Sequence, residues 1–210
     1  ITGRVVGYVK KTLTGNARAA RNASCETPLG DLIADAMRAA TDADLAFMNP
    51  GGIRADLVAK REGRPDFAIT YGDAFEVQPF GNALVTMRLR GAQIQALLEA
   101  QFGSRQEPRI LQVSKGFSYL YAYDRAHEKG VISELRLNGK ALEPARKYRV
   151  TVPSFLASGG DSFAVLKSGE ERTEGAIDVD ALTTYLGKVS SAKAPLDLPA
   201  GGRITGDGCR

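Results

Sequence analysis

Apolar positions along the chain change period several times, and each change predicts an element. Residues 4–9, RVVGYV, form a compact β-branched run that predicts a first strand. From Pro28 onward Leu29, Leu32, Ile33, Ala36 and Met37 recur at helical spacing, with Thr27 placed to cap the helix and Pro28 to open it. Residues 44–48, DLAFM, predict a short apolar strand that stops abruptly at Asn49-Pro50-Gly51-Gly52-Ile53-Arg54. A second capped turn is expected at Thr70-Tyr71-Gly72-Asp73, followed by Val77-Gln78-Pro79-Phe80-Gly81-Asn82.

Residues 83–90 alternate, with Val85, Met87 and Leu89 on one side and Thr86, Arg88 and Arg90 on the other, as a half-buried strand does. Gly91 hands over to a helix carrying Ile94, Leu97, Leu98 and Phe102. The stretch 110–152 is strand-rich, with ILQVS, FSYLYAY, VISELRL and YRVTV, and its Asn138-Gly139 pair predicts an antiparallel hairpin. Val179, Leu182, Leu186 and Val189 mark a last helix, and a Pro/Gly-rich tail holds one more short strand near Arg203-Ile204. Without repeats or a low-complexity linker, residues 1–210 predict a single α/β (α+β) domain, a mixed sheet with packed helices.

Composition narrows the function. A chain of 210 residues that is 43% hydrophobic and 25% charged can bury a real core, and no apolar run approaches a membrane span. The single histidine, His127, lies among Asp124, Arg125, Glu128 and Lys129 and is expected on a surface loop. One histidine cannot build a self-contained two-metal hydrolase centre, so neither metal ligands nor catalytic residues are assigned within the chain. The net charge of +4 is concentrated near the start, where Arg4, Lys10, Lys11, Arg18 and Arg21 face Glu26 alone. That placement suits a solvated or anion-facing segment better than a nucleic-acid surface, which would spread basic residues along a face and interleave aromatics. Cys25 and Cys209 have no metal or redox spacing. They are either bridged, tying the tail to the first helix in an oxidising compartment, or two unpaired structural thiols.

Three loops could carry chemistry. NPGGIR combines two glycines that let a backbone approach a ligand, the two-sided hydrogen bonding of Asn49 and the planar charge of Arg54; a plain strand-to-helix turn explains it equally well. QPFGN presents Phe80 between a proline and a glycine, outside any strand or helix period, and could equally plug the core. The segment 154–163 offers Phe155, a Gly159-Gly160 bend and Asp161 together. Two loop aromatics suit a flat ligand stacked between rings, and a carboxylate suits vicinal hydroxyls.

Taken in order, residues 25–56 (CETPLGDLIADAMRAATDADLAFMNPGGIRAD), ITYGDAFEVQPFGN, GAQIQALLE, ILQVS and YRVTVPSFLASGGDSF resemble the C-terminal domain of the 5'-nucleotidase family, over nearly the whole chain. The resemblance implies the substrate-binding half of a two-domain enzyme. The N-terminal metallophosphoesterase domain, its two divalent metal ions and its catalytic set are expected outside these residues, and no cofactor is expected in them. It further implies that Phe80 and Phe155 sandwich a nucleobase and that Asp161 accepts from ribose hydroxyls. Arg54, with Gly51 and Gly52 before it, would hold the phosphate side. Asn49 would lie near the base, Asn82 would add a polar contact, and Arg21, with Arg18 behind it, would supply a second phosphate-facing cation. Three departures stand out. Arg21 is about two residues further from Gly30 than in relatives, Pro50 stands where a glycine is frequent, and Pro108 falls where some relatives place a glycine beside the base.

The function so implied is the nucleotide-binding and specificity domain of a secreted, extracytoplasmic, metal-dependent 5'-nucleotidase, binding a nucleoside or nucleotide but inactive by itself. The alternatives are the same domain of a 2',3'-cyclic nucleotide phosphodiesterase, a nucleotide-sugar hydrolase or a thiohydrolase, and, in another class, a non-catalytic nucleotide-binding or surface module.

Overall fold

The computed structural model describes residues 2–15, 23–102, 108–124, 126–127 and 129–209. In chain order the elements are β1 (Val5–Tyr8), α1 (Pro28–Thr41), β2 (Leu45–Met48), β3 (Ala68–Thr70), α2 (Tyr71–Val77), β4 (Ala83–Arg90), α3 (Gly91–Glu99), β5 (Gln112–Val113), β6 (Phe117–Asp124), β7 (Lys129–Leu137), β8 (Lys140–Ala141), β9 (Lys147–Pro153), α4 (Ser154–Ala157), β10 (Glu170–Ile177), α5 (Asp178–Val189) and β11 (Ile204–Thr205).

Local chemistry sets the boundaries. Thr27 accepts a hydrogen bond from the Gly30 amide and Pro28 fills the first turn of α1, while Thr70 and Asp73 form a reciprocal capping box on α2. Asn138 and Gly139 both take positive φ, 51° and 77°, which gives the β7–β8 hairpin a turn whose twist matches its strands.

The central sheet runs β10-β4-β9-β2-β5, with only β2 and β9 parallel. Its two faces are both covered. Leu45 and Phe47 of β2 enter one core with Val85, Met87 and Leu89, α3 (Ile94, Leu97, Leu98) and Phe117, Tyr119 and Tyr121 of β6. Ala46 and Met48 enter the other, under the apolar faces of α1 and α5. Alternation along a strand buried on both sides explains why all four β2 residues are apolar. A second sheet, β11-β6-β7-β8, and the β1-β3 pair complete the fold.

Two strands were not anticipated from the sequence, β3, which pairs with β1, and β10. Every residue of β10, EERTEGAI, is exposed; it pairs with β4 at the sheet edge, where charged side chains discourage further pairing. His127 sits on the surface as expected, with its side chain 71% exposed and Nδ1 2.6 Å from Asp124. Lys10 pairs with Asp197 in solvent.

Cys25 and Cys209 are bridged. The tail is also held by polar contacts. The Glu26 carboxylate accepts from the amides of Gly202 and Arg203, both at 2.9 Å. The Arg203 guanidinium bonds both Asp35 oxygens at 2.8 and 2.9 Å and the Val113 carbonyl, and lies 3.6 Å from Asp31. Burial pushes the Asp31 carboxyl up to about 8, against the lowering pull of Arg203 and with further raising by Glu26.

Candidate functional site

Sheet register gathers the loops singled out in the sequence at one end of the central sheet. β4 and β9 are antiparallel with Leu84 opposite Pro153, so Asn82, just before β4, and Ser154, just after β9, emerge side by side. β2 is parallel to β9, which brings Asn49 out at the same end. β5 pairs antiparallel with β2, Gln112 opposite Met48, so the residues that precede β5 arrive there too. β10 delivers Asp178 to the same edge, with Ile177 opposite Ala83.

The site residues are linked by a continuous run of contacts. The Arg54 guanidinium stands 5.8 Å from the centre of the Phe80 ring, a cation–π contact, and Nη1 donates to the Gly51 carbonyl at 3.3 Å. A Cβ on Gly51 would lie 3.6 Å from Asn49 Nδ2 and 3.8 Å from Asp161 Oδ2, so this glycine borders the carboxylate directly. Asn49, 4% exposed, donates from Nδ2 to Asp161 Oδ2 at 3.0 Å. Next to Asp161, Gly160 backs onto Phe155 so closely that a Cβ there would meet the ring at 2.6 Å. Gly52 is buried against Met48 and Asn49.

Phe80 and Phe155 are exposed, as is Phe75 on α2 at 47%, and of the three only Phe80 and Phe155 belong to the contacts just described. Phe47, Phe117 and Phe163 are fully buried, whereas Phe80 is 58% and Phe155 46% exposed. Fully burying such a ring stabilises by about 1.5–3 kcal/mol, and both forgo part of that at the same end of the sheet. The core-plug explanation of Phe80 is therefore excluded.

Asn82 has a visible role. Its Nδ2 donates to Asp178 Oδ2 at 3.2 Å, its Oδ1 accepts from Ser154 Oγ at 3.3 Å, and its carbonyl accepts from the Asp178 amide at 2.8 Å. The side chain thus braces the Phe80 loop against the turn that starts α4 and carries Phe155. Burial raises the carboxyl of Asp178, 1% exposed, partly offset by the donors from Asn82 and Val179. Arg21 and Arg18 lie outside the described residues.

Arg109 escaped the sequence reading. Its Nη1 donates to Asp161 Oδ1 at 2.5 Å, with the two side chains 37% and 18% exposed. The one signal available was a cation between the apolar positions Pro108 and Ile110-Leu111, all of which are buried. Among the described residues no three His, Cys, Asp or Glu side chains gather as metal ligands. The donor set around Asp161, an amide and a guanidinium, does not fit a divalent cation.

Residues 5–168 match the family described as 5'-nucleotidase, C-terminal domain. The chain is 37% identical over 176 residues to a cell wall protein of Listeria monocytogenes, covering 80% of this chain and 22% of that protein. It is 34% identical over 181 residues to an endonuclease of Bacillus subtilis, covering 85% and 14%. The crystal structure of a 5'-nucleotidase precursor from Thermus thermophilus superimposes with a TM-score of 0.78 at 32% identity, covering 97% of this chain and 39% of that one. The chain therefore spans well under half the length of these relatives.

Proposed function

The chain belongs to the 5'-nucleotidase C-terminal domain family, and on that premise we propose that it is the nucleotide-binding and specificity domain of an extracytoplasmic 5'-nucleotidase. The observation that carries the proposal is the placement of two exposed phenylalanines and an anchored carboxylate at one end of the sheet. Phe80 and Phe155 offer faces to a base, and Asp161 offers acceptors to ribose hydroxyls. Arg54, at the edge of Phe80, carries the charge that a phosphate requires. Stacking tolerates several bases, while the polar groups fix orientation.

Hydrolysis of the phosphoester is assigned to a metallophosphoesterase domain that would hold two divalent metal ions; the residues described here bind and orient the substrate for it. The Cys25–Cys209 bridge and the cell wall protein among the relatives support a location outside the cytoplasm. Among the described residues no helix is long and apolar enough to cross a membrane.

Titration of the chain with adenosine and AMP, followed by NMR, tests the proposal. Phe155→Ala should weaken adenosine binding about tenfold or more, since base–aromatic stacking is worth about 1–3 kcal/mol per base. Unchanged affinity in a folded variant would remove the stacking role.

A further inference from the structure

Asp161 is held from two sides by groups far apart in the chain. Asn49 Nδ2, at the end of β2, donates to Oδ2, and Arg109 Nη1, on the segment leading into β5, donates to Oδ1. An ionised carboxylate has about four lone-pair positions, two on each oxygen. Among the described residues one on each oxygen is taken, so about one on each remains. That vacancy pattern, one acceptor per oxygen in a carboxylate that cannot turn, matches two hydroxyls on adjacent carbons.

The support under Arg109 is stiff. The Arg109 amide bonds the Gln101 carbonyl at 2.9 Å, and the Leu111 amide bonds Gln101 Oε1 at 2.6 Å. Asp161 itself needs holding, because its backbone is left-handed, φ 55° and ψ 21°, and Ser162 follows with φ 71°. Such a conformation is unfavourable for a non-glycine residue and persists where the surroundings fix it.

We propose that Arg109 is a positioning residue that makes the site selective for a vicinal diol, by locking the Asp161 carboxylate so that one free acceptor on each oxygen faces the ligand. The inference rests on the nucleoside reading given above and adds to it a residue and a specificity. Arg109 acts through Asp161, so its loss is felt by the hydroxyls of the ligand and not by the base.

The experiment compares adenosine with 2',3'-dideoxyadenosine, which has the same base but no diol. Both are titrated by NMR into the wild-type chain and into Arg109→Gln, Arg109→Lys, Asp161→Asn and the Arg109→Gln/Asp161→Asn double variant, each checked for folding by circular dichroism. Arg109→Gln should lower adenosine affinity about tenfold and leave dideoxyadenosine unchanged, in the range of couplings between contacting residues. Arg109→Lys, which keeps the charge without the planar fork, should fall between; it carries the comparison should Arg109→Gln fail to fold. In the Asp161→Asn background the Arg109 change should cost nothing further. Equal losses for both ligands, or a full tenfold loss persisting without the Asp161 charge, would overturn the positioning role. Absence of adenosine binding by the wild-type chain would overturn the nucleoside reading itself, and the proposal with it.

Discussion

Reducing the Cys25–Cys209 bridge should cost the domain a large part of its stability while leaving its native contacts in place. The two cysteines are 184 residues apart, so the bridge constrains nearly the whole unfolded chain. Chain-entropy arithmetic for a loop of that size gives about 5 kcal/mol at 25 °C. The folded state has little to lose directly, because the tail keeps its other anchors: the Glu26 carboxylate on the Gly202 and Arg203 amides, Arg203 on Asp35 and Val113, and Gly208 on the Tyr121 hydroxyl. Urea unfolding followed by circular dichroism, with and without a phosphine reductant and again for Cys25→Ser/Cys209→Ser, measures the difference. With a urea slope of about 2–3 kcal/mol per molar, the reduced midpoint should fall by about 2 M. Coincident curves for oxidised and reduced protein would refute the reasoning, showing either that the bridge does not form or that the unfolded chain gains no freedom when it opens.

Two further outcomes are expected. The folded Asp31 carboxyl is raised by burial to about 8, against about 3.9 unfolded, so the folded state holds its proton more tightly. The contribution is therefore full below about pH 4 and is lost as pH rises toward about 8, at up to about 1.4 kcal/mol per pH unit. Asp31→Asn should flatten that decline in urea midpoints measured from pH 5 to 9, and parallel slopes for variant and wild type would exclude Asp31 as its source. Gly160→Ala puts a methyl group against the Phe155 ring and should weaken adenosine binding in a folded chain, read by NMR titration. An unaltered affinity would mean that the ring position does not matter.

Much of the fold is legible in the sequence because it is written in local chemistry. Thr27-Pro28 states a helix start, the alternation of Val85, Met87 and Leu89 states a strand, and Asn138-Gly139 states a hairpin, each within a few residues. β10 is not legible for the opposite reason: an edge strand with no buried face has no hydrophobic period to detect. The fate of Cys25 and Cys209 is invisible because spacing says nothing about a contact made across the whole fold.

The same divide runs through the site. Phe80 could be picked out because an aromatic between proline and glycine fits no packing period, and Phe155 because it shares its segment with a Gly-Gly bend and Asp161. Arg109 could not, since its partner is 52 residues away and only the pairing of β5 with β2 brings its segment to Asp161. Asn82 could be named but not explained, because the brace to Ser154 and Asp178 depends on the register of β4 against both β9 and β10.

In the proposed function a nucleoside binds between Phe80 and Phe155 with its sugar on Asp161. The most direct measurement is a map of amide shifts in a ¹⁵N-labelled chain titrated with adenosine. Perturbations should concentrate at residues 49–54, 80–82, 109 and 154–162, with ligand protons showing ring-current shifts. Saturable perturbations elsewhere, or none at any of these positions, would contradict it.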